Sequence, residues 1–201
     1  MAAWPISPGN RFKRSWETEA MAIADEAAAY YINDEHSRIF GETENIPGWQ
    51  AVGDSEKLYE AAFYNGAVIL EIGTYGGRSA VVELRGALAG LTARATGRSP
   101  QFYGLDIEPQ AIARTHATLV KHDLSDHAIL FHGGLEAFRR MIPITPTMVF
   151  GDGDHAYAGV WSDLRNLTDF LAPGTPVLCH DFAQIEGVTR AVNEWVASGY
   201  Y

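Results

Sequence analysis

Short apolar runs alternate with helical patterns along most of the chain. From position 55 onward the order reads "SEKLYEAAFYN", "AVILEIG", "RSAVVELRGALAGL", "QFYGLDI", "PQAIARTHATLVKHD", "AILFHGG", "LEAFRRM", "TMVFGDGD", "GVWSDLRNLTDFL", "TPVLCHDF" and "GVTRAVNEWVASG". Strands of this length, each followed by a segment with apolar positions at helical spacing, predict a doubly wound α/β fold. Such a fold has a mostly parallel Rossmann-like sheet with helices on both faces. Ahead of it, "WETEAMAIADEAAAYYI" over 16–32 predicts a helix, and the polar, Gly- and Pro-punctuated stretch from Asn33 to Asp54 predicts a long loop. Ser55 is expected to open the next helix. The division expected is an N-terminal helix and lid over 1–54 and a ligand-binding domain over 55–201.

In a parallel sheet the ligand sits at the carboxyl ends of the strands, so chemistry is sought just after each apolar run. The first such place, "VILEIGTYGGRS", has Glu71 and then Gly73, Gly76 and Gly77 before a helix beginning near Arg78 or Ser79. Glycine there lets a ligand approach the backbone, and the helix N-terminus offers unpaired N–H groups. Tyr75 occupies the second glycine of a dinucleotide fingerprint, which weakens a pyrophosphate reading, and a carboxylate at Glu71 repels one. A cationic ligand such as the methionyl part of S-adenosylmethionine suits the acid better; a turn whose glycines serve geometry alone is the plain alternative. At the second place Asp106, after "FYGL", is positioned to accept ribose hydroxyls, or to cap the helix opened by Pro109. The third place turns through Gly133 and Gly134, with His132 read equally as a strand-end histidine.

The fourth and fifth places carry the densest chemistry. Asp152, Asp154 and His155 follow "MVFG", and His180 with Asp181 follows "PVLC". Asp152 suits a divalent ion or the methionyl amine, and His155 suits proton abstraction near neutrality. With those strands adjacent, Asp152, His180 and Asp181 come within reach of one metal, of the oxygen- and nitrogen-loving kind, or form an ordinary hydrogen-bonded group.

Composition narrows the class. With 25 acids against 15 bases the net charge is −10, which disfavours nucleic acid and favours a small-molecule partner. The 201 residues hold no apolar run able to span a membrane and no evident secretory signal, so a cytoplasmic protein is expected. The single cysteine, Cys179, reads as a strand residue, and Trp161 and Trp195 read as core or interface residues on helices.

Taken in order, "ILEIGTYGGRS", "GLDIEP", "VFGDGDHAYAGVWSDL", "LAPGTPVLCHDF" and "GVTRAVNEW", with the lead-in "IPGW", resemble the small bacterial class I S-adenosylmethionine-dependent methyltransferases. The resemblance implies that Glu71, Gly73, Thr74, Tyr75, Gly76 and Ser79 hold the methionyl portion, Asp106 and Ile107 the ribose, and Gly134 with Leu135 the adenine, with Asp152 nearby. The strand-end acids also resemble those of metal-dependent O-methyltransferases of the catechol, caffeoyl-CoA and macrolide-sugar types. There the positions of Asp152, His180 and Asp181 imply a magnesium or manganese site, and His155 the base. His180 stands where an acid or amide is expected, a departure that weakens the magnesium reading. Methyl transfer to an oxygen of a small, sugar-like acceptor is the implied activity; a nicotinamide-dependent oxidoreductase and a non-catalytic S-adenosylmethionine-binding module are the alternatives. A second departure is that "ASGYY" closes the sequence without the family's C-terminal β-hairpin, so either the hairpin is absent or the chain is shortened. An uncovered last strand is expected to seek a second copy of the chain, giving a homo-oligomer.

Overall fold

The computed structural model describes residues 32–199. Among these residues five strands form one sheet, β1 (Val68–Ile72), β2 (Gln101–Asp106), β3 (Ala128–His132), β4 (Met148–Gly151) and β5 (Val177–Cys179), in the order β3-β2-β1-β4-β5. Every pairing is parallel, so all five carboxyl ends meet at one rim. Strand order reverses between β1 and β4, which opens a crevice at that rim.

Among the described residues, seven α-helices cover the two faces: α1 (Asp34–Thr43), α2 (Val52–Asn65), α3 (Arg78–Ala93), α4 (Pro109–Lys121), α5 (Leu135–Met141), α6 (Tyr157–Thr168) and α7 (Glu186–Ala197). The alternation of β1 distributes its side chains between two cores. Ile69 packs with Leu58, Val81, Leu84 and Phe102 on the side of α2 and α3, while Leu70 and Ile72 pack with Leu135, Leu164, Leu167 and Trp195 on the side of α5, α6 and α7. Glu71 is two positions from Ile69 and therefore belongs to the α3 side.

The doubly wound sheet and its helices from α3 onward match the expectation. The expected helix over 16–32 lies almost wholly outside the described residues. The expected loop from Asn33 to Asp54 contains α1, which Asn33 caps by accepting a hydrogen bond from the His36 N–H at 2.8 Å. Ser55 is not a cap. The next helix begins at Val52, Asp54 accepts from the Ala51 N–H at 2.8 Å, and Ser55 is buried, donating to Gln50 Oε1 at 3.1 Å. Trp195 is a core residue whose Nε1 donates to Thr168 Oγ1 at 2.9 Å, and Trp161 stacks on Tyr157. Cys179 is half-buried in β5, and burial pushes its thiol up to about 11, which keeps it an unreactive thiol. Among the described residues there is no antiparallel strand, and no helix is long and apolar enough to cross a membrane.

Candidate functional site

The turn from β1 into α3 is shaped by contacts on three sides. Gly73 has φ +91°, and a Cβ there would lie 2.3 Å from the Asp152 carbonyl oxygen. Glycine is required where the end of β1 crosses the end of β4. On the outer side a Cβ at Gly76 would lie 2.3 Å from the Pro47 carbonyl, so the loop joining α1 to α2 rests directly on the turn. Tyr75, in place of the second glycine, holds φ +44°, a left-handed conformation that costs a non-glycine residue about 1 kcal/mol or more. Asp106 supports it: Oδ2 accepts from the Thr74 and Tyr75 N–H groups at 3.1 and 3.0 Å, and Oδ1 accepts from the Glu108 N–H at 2.9 Å. Arg114 lies over the Tyr75 ring at 5.0 Å. Asp106 thus braces the turn and the entry to α4 together, with one lone pair left on Oδ1.

Above the rim is a cavity of about 1200 Å³, larger than a single drug-sized ligand needs and sufficient for a donor and an acceptor together. From the turn, Gly73, Thr74, Tyr75, Gly76 and Ser79 line it; from β2, Asp106 and Ile107; from the start of α5, Gly134 and Leu135. Asp152, His155, His180 and Asp181 form the opposite wall. The structure brings every expected site residue to this cavity except Glu71.

Glu71 is fully buried behind the wall, and its Oε1 accepts a hydrogen bond from Ser79 Oγ. A direct ligand contact at Glu71 is therefore corrected to an indirect one, through Ser79 and through the field of its charge. The period-two alternation turns its side chain toward α3 rather than out at the rim. Burial pushes its carboxyl up to about 8, with the charges of Asp152 and Asp106 adding and the Ser79 hydrogen bond opposing. A folded pKa above the unfolded value means stability that is complete below about 4.5 and lost as pH rises through about 8. Melting temperature is accordingly expected to fall across that window in the wild type and to fall less in Glu71→Gln; superimposable curves would contradict it.

At the opposite wall His155 Nε2 lies 2.9 Å from Asp181 Oδ2 and 3.8 Å from Asp152 Oδ1. His180 Nδ1 lies 3.2 Å from Asp152 Oδ1 and 3.3 Å from Asp181 Oδ2, a charge contact shared between the two, and its Nε2 is 3.7 Å from Asp54 Oδ2. Contact with Asp152, then the charges of Asp152, Asp181 and Asp54, raise the His180 pKa to about 9 against the opposing effect of burial. Asp181 itself is held at φ +55°, a strained conformation of the kind that concentrates at functional sites. Asp152, His155 and Asp181 could present one ligand atom each to an ion. A set of two carboxylates with imidazole nitrogens beside them suits magnesium, which prefers oxygen ligands, less well than it suits an ion that accepts nitrogen.

Trp49, in the loop expected to cover the acceptor pocket, does line the cavity, and sequence reading passed over two further contributors, Arg78 and Asp163. Trp49 is 88% exposed at the cavity mouth. Arg78 is buried beside it, with Nη1 donating to the Gly48 carbonyl at 3.3 Å and the guanidinium over Phe40. Asp163 lines the cavity from mid-α6, where burial, with the charge of Asp154 adding, pushes its carboxyl up to about 6. Its signal was legible: Val160, Asp163, Leu164 and Leu167 make one helical stripe, and an acid inside an apolar stripe calls for an explanation.

A family model described as a methyltransferase domain matches residues 70–182, the span from β1 to the residue after Asp181. No curated protein matches the chain. Among solved structures, an O-methyltransferase from Bacillus cereus in complex with SAH is similar with TM-score 0.61 at 16% identity, over 88% of this chain and 86% of that one. The SAH-bound methyltransferase PaMTH1 from Podospora anserina gives TM-score 0.64 at 18% identity, over 98% and 89% of the two chains. The O-methyltransferase TomG from Streptomyces achromogenes, involved in tomaymycin synthesis and solved with SAM, gives 0.58 at 16%, over 88% and 84%. Identities this low carry the fold alone.

Proposed function

The chain belongs to the methyltransferase-domain family, and from that premise we propose that it moves the methyl group of S-adenosylmethionine onto an oxygen of a small, sugar-like acceptor. One observation carries the reading. The braced glycine turn and Asp106 face the His155–Asp181 pair across a single cavity, so a donor site and a basic site open on the same space. The similar folds solved with SAH or SAM support the donor, and a histidine oriented by a carboxylate is suited to an acceptor whose hydroxyl must lose a proton.

The donor's nucleoside would lie along β2, with Asp106 accepting from a ribose hydroxyl, and its methionyl part over Gly73 and Ser79. The acceptor oxygen attacks the sulfonium methyl in line. The carbon–sulfur bond breaks, its electron pair stays on sulfur to give the neutral thioether, and the hydroxyl proton passes to His155. If the His155 Nε2–H donates to Asp181, the basic nitrogen is Nδ1. Holding donor and acceptor at attack distance supplies most of the remaining acceleration. His180 stays positive and limits the repulsion between Asp152 and Asp181.

Calorimetric titration with S-adenosylhomocysteine tests the donor site. Wild type is expected to bind it, and Asp106→Asn to bind about tenfold more weakly or worse, the usual effect of losing a charged hydrogen bond. No binding by the folded wild type would overturn the reading. Because no step needs a metal, chelator treatment is expected to leave methyl transfer unchanged, and a loss restored by magnesium would overturn the role given to His180.

A further inference from the structure

The lid end of the cavity carries two groups that the methyl-transfer step leaves unused, Gln50 and Arg78. Gln50, just ahead of α2, lines the cavity and is only 9% exposed. Its Oε1 accepts from the Ser55 hydroxyl at 3.1 Å. Ser55 is fully buried, and its hydroxyl has no other acceptor among the described residues, so the amide oxygen is held toward α2 and the amide nitrogen turns the other way. That Nε2 has no protein partner among the described residues and is not sealed from solvent. Gln50 therefore offers its N–H groups to whatever fills the cavity.

Arg78 lies beneath the same loop. It is 6% exposed and is the one Lys or Arg among the described residues that line the cavity. Gly48 rests on its stem, where a Cβ would lie 3.1 Å from Arg78 Cβ, and Nη1 donates to the Gly48 carbonyl, while Nε and Nη2 have no partner. Burial lowers its pKa, opposed by the charge of Glu44, an exposed residue at the end of α1 that makes no ion pair with it. A buried cation without a counter-charge is costly, so it calls for an anion from outside the chain. The acids of the cavity stand elsewhere: Asp106 and Glu108 after β2, Asp152 and Asp154 after β4, Asp163 on α6 and Asp181 after β5. Asp54, four residues beyond Gln50, is turned to the Ala51 N–H and to His180. Consecutive helix positions do not share a face, so Arg78 on the lid side is set apart from Ser79, which meets Glu71 under the donor turn.

We propose that Gln50 reads the acceptor, donating its amide N–H groups to a carboxylate that the acceptor carries in addition to the hydroxyl that is methylated. Arg78 is a positioning residue beneath it: it holds the Gly48 carbonyl and supplies the positive charge that makes an anionic oxygen preferred there. The acceptor class is then a polyhydroxy acid, a sugar acid rather than a neutral sugar, with its hydroxyl at His155 and its carboxylate at the lid. The carboxylate stays ionised throughout, and no bond changes beyond those of methyl transfer. The inference rests on the methyl-transfer reading above and adds to it an acceptor charge and the two residues that select for it.

The test is turnover on matched pairs of small hydroxyl compounds: D-glucuronate against D-glucose, D-galacturonate against D-galactose, and D-gluconate against D-glucitol. In at least one pair the acid is expected to be the better substrate by about tenfold or more in kcat/KM, the worth of a charged hydrogen bond, and to gain it through KM. In Gln50→Leu that preference is expected to fall to about one, with S-adenosylhomocysteine affinity as in the wild type. Arg78→Met is expected to remove the preference and Arg78→Lys to retain it, whereas a purely structural role would weaken acid and neutral members alike. Turnover of no acid, or neutral members equal or better in every pair, would overturn the proposal, and binding of S-adenosylhomocysteine in the same preparation would leave the donor site standing. A Gln50→Leu protein that loses S-adenosylhomocysteine affinity in step with the acid would overturn it too, by giving the amide to the donor's own carboxylate. Failure of the folded wild type to bind S-adenosylhomocysteine would remove the methyl-transfer reading and this proposal with it.

Discussion

His155→Ala is expected to lower kcat by about 10²- to 10⁴-fold, the range contributed by a positioned general base, with little change in S-adenosylhomocysteine affinity. The argument is geometric. His155 is half-exposed to the cavity, 2.9 Å from Asp181, and on the wall opposite the donor turn. Removing it leaves donor and acceptor held in place but the hydroxyl with nowhere to send its proton. Asp181→Asn should cost less, because the imidazole remains while its orientation and tautomer lose their support. The measurement is turnover with an acceptor found by screening small hydroxyl compounds, alongside calorimetry with the product. A loss below about tenfold would take the proton from His155 and pass it to solvent. A parallel loss of product affinity would instead mean that the loop after β4 has shifted.

The fold from β1 onward was readable because each strand is a short apolar run with a helical pattern behind it, and parallel pairing then sends every strand end to one rim. That single topological fact is why Gly73, Asp106, Gly134, Asp152 and His180, far apart in sequence, line one cavity. Three features were harder to read. The helix α1 carries few apolar residues, Ile39 and Phe40 being the main ones, so its signal was the Asn33 cap rather than periodicity. The start of α2 is set by Asp54 reaching back to Ala51, whereas the sequence drew attention to Ser55. Glu71 was expected in the ligand site because it ends a strand beside a glycine turn. Its parity with Ile69 instead puts it on the α3 side, against Ser79. Glu83 was passed over in a similar way: it lies on the buried surface of α3, most of which packs against α2. The tool that would have corrected Glu71 is the alternation itself, applied through the last residues of the strand.

Gly73→Ala is expected to destabilise the fold on the order of 4 kcal/mol, combining a left-handed backbone with overpacking, whereas Gly134→Ala is expected to leave stability nearly unchanged. Both glycines face the cavity, and a sequence motif would treat them alike. At Gly73 the added Cβ meets the Asp152 carbonyl at 2.3 Å and its carbon at 2.6 Å, backbone atoms fixed by the Asp152 N–H bond to the Ile72 carbonyl at 2.8 Å. No rotamer change relieves that contact; β4 must move away from β1, and Asp152 moves with it. At Gly134 no atom lies within 4 Å of the added carbon and φ is −85°, so an alanine meets only open space. Thermal unfolding separates the two variants, and calorimetry with S-adenosylhomocysteine gives the second reading. Any folded Gly73→Ala should lose affinity through the displaced turn, while Gly134→Ala, if adenine packs there, should lose affinity without losing stability. Equal melting temperatures would mean that β1 and β4 can separate at no cost, and that the turn's shape comes from Asp106 alone.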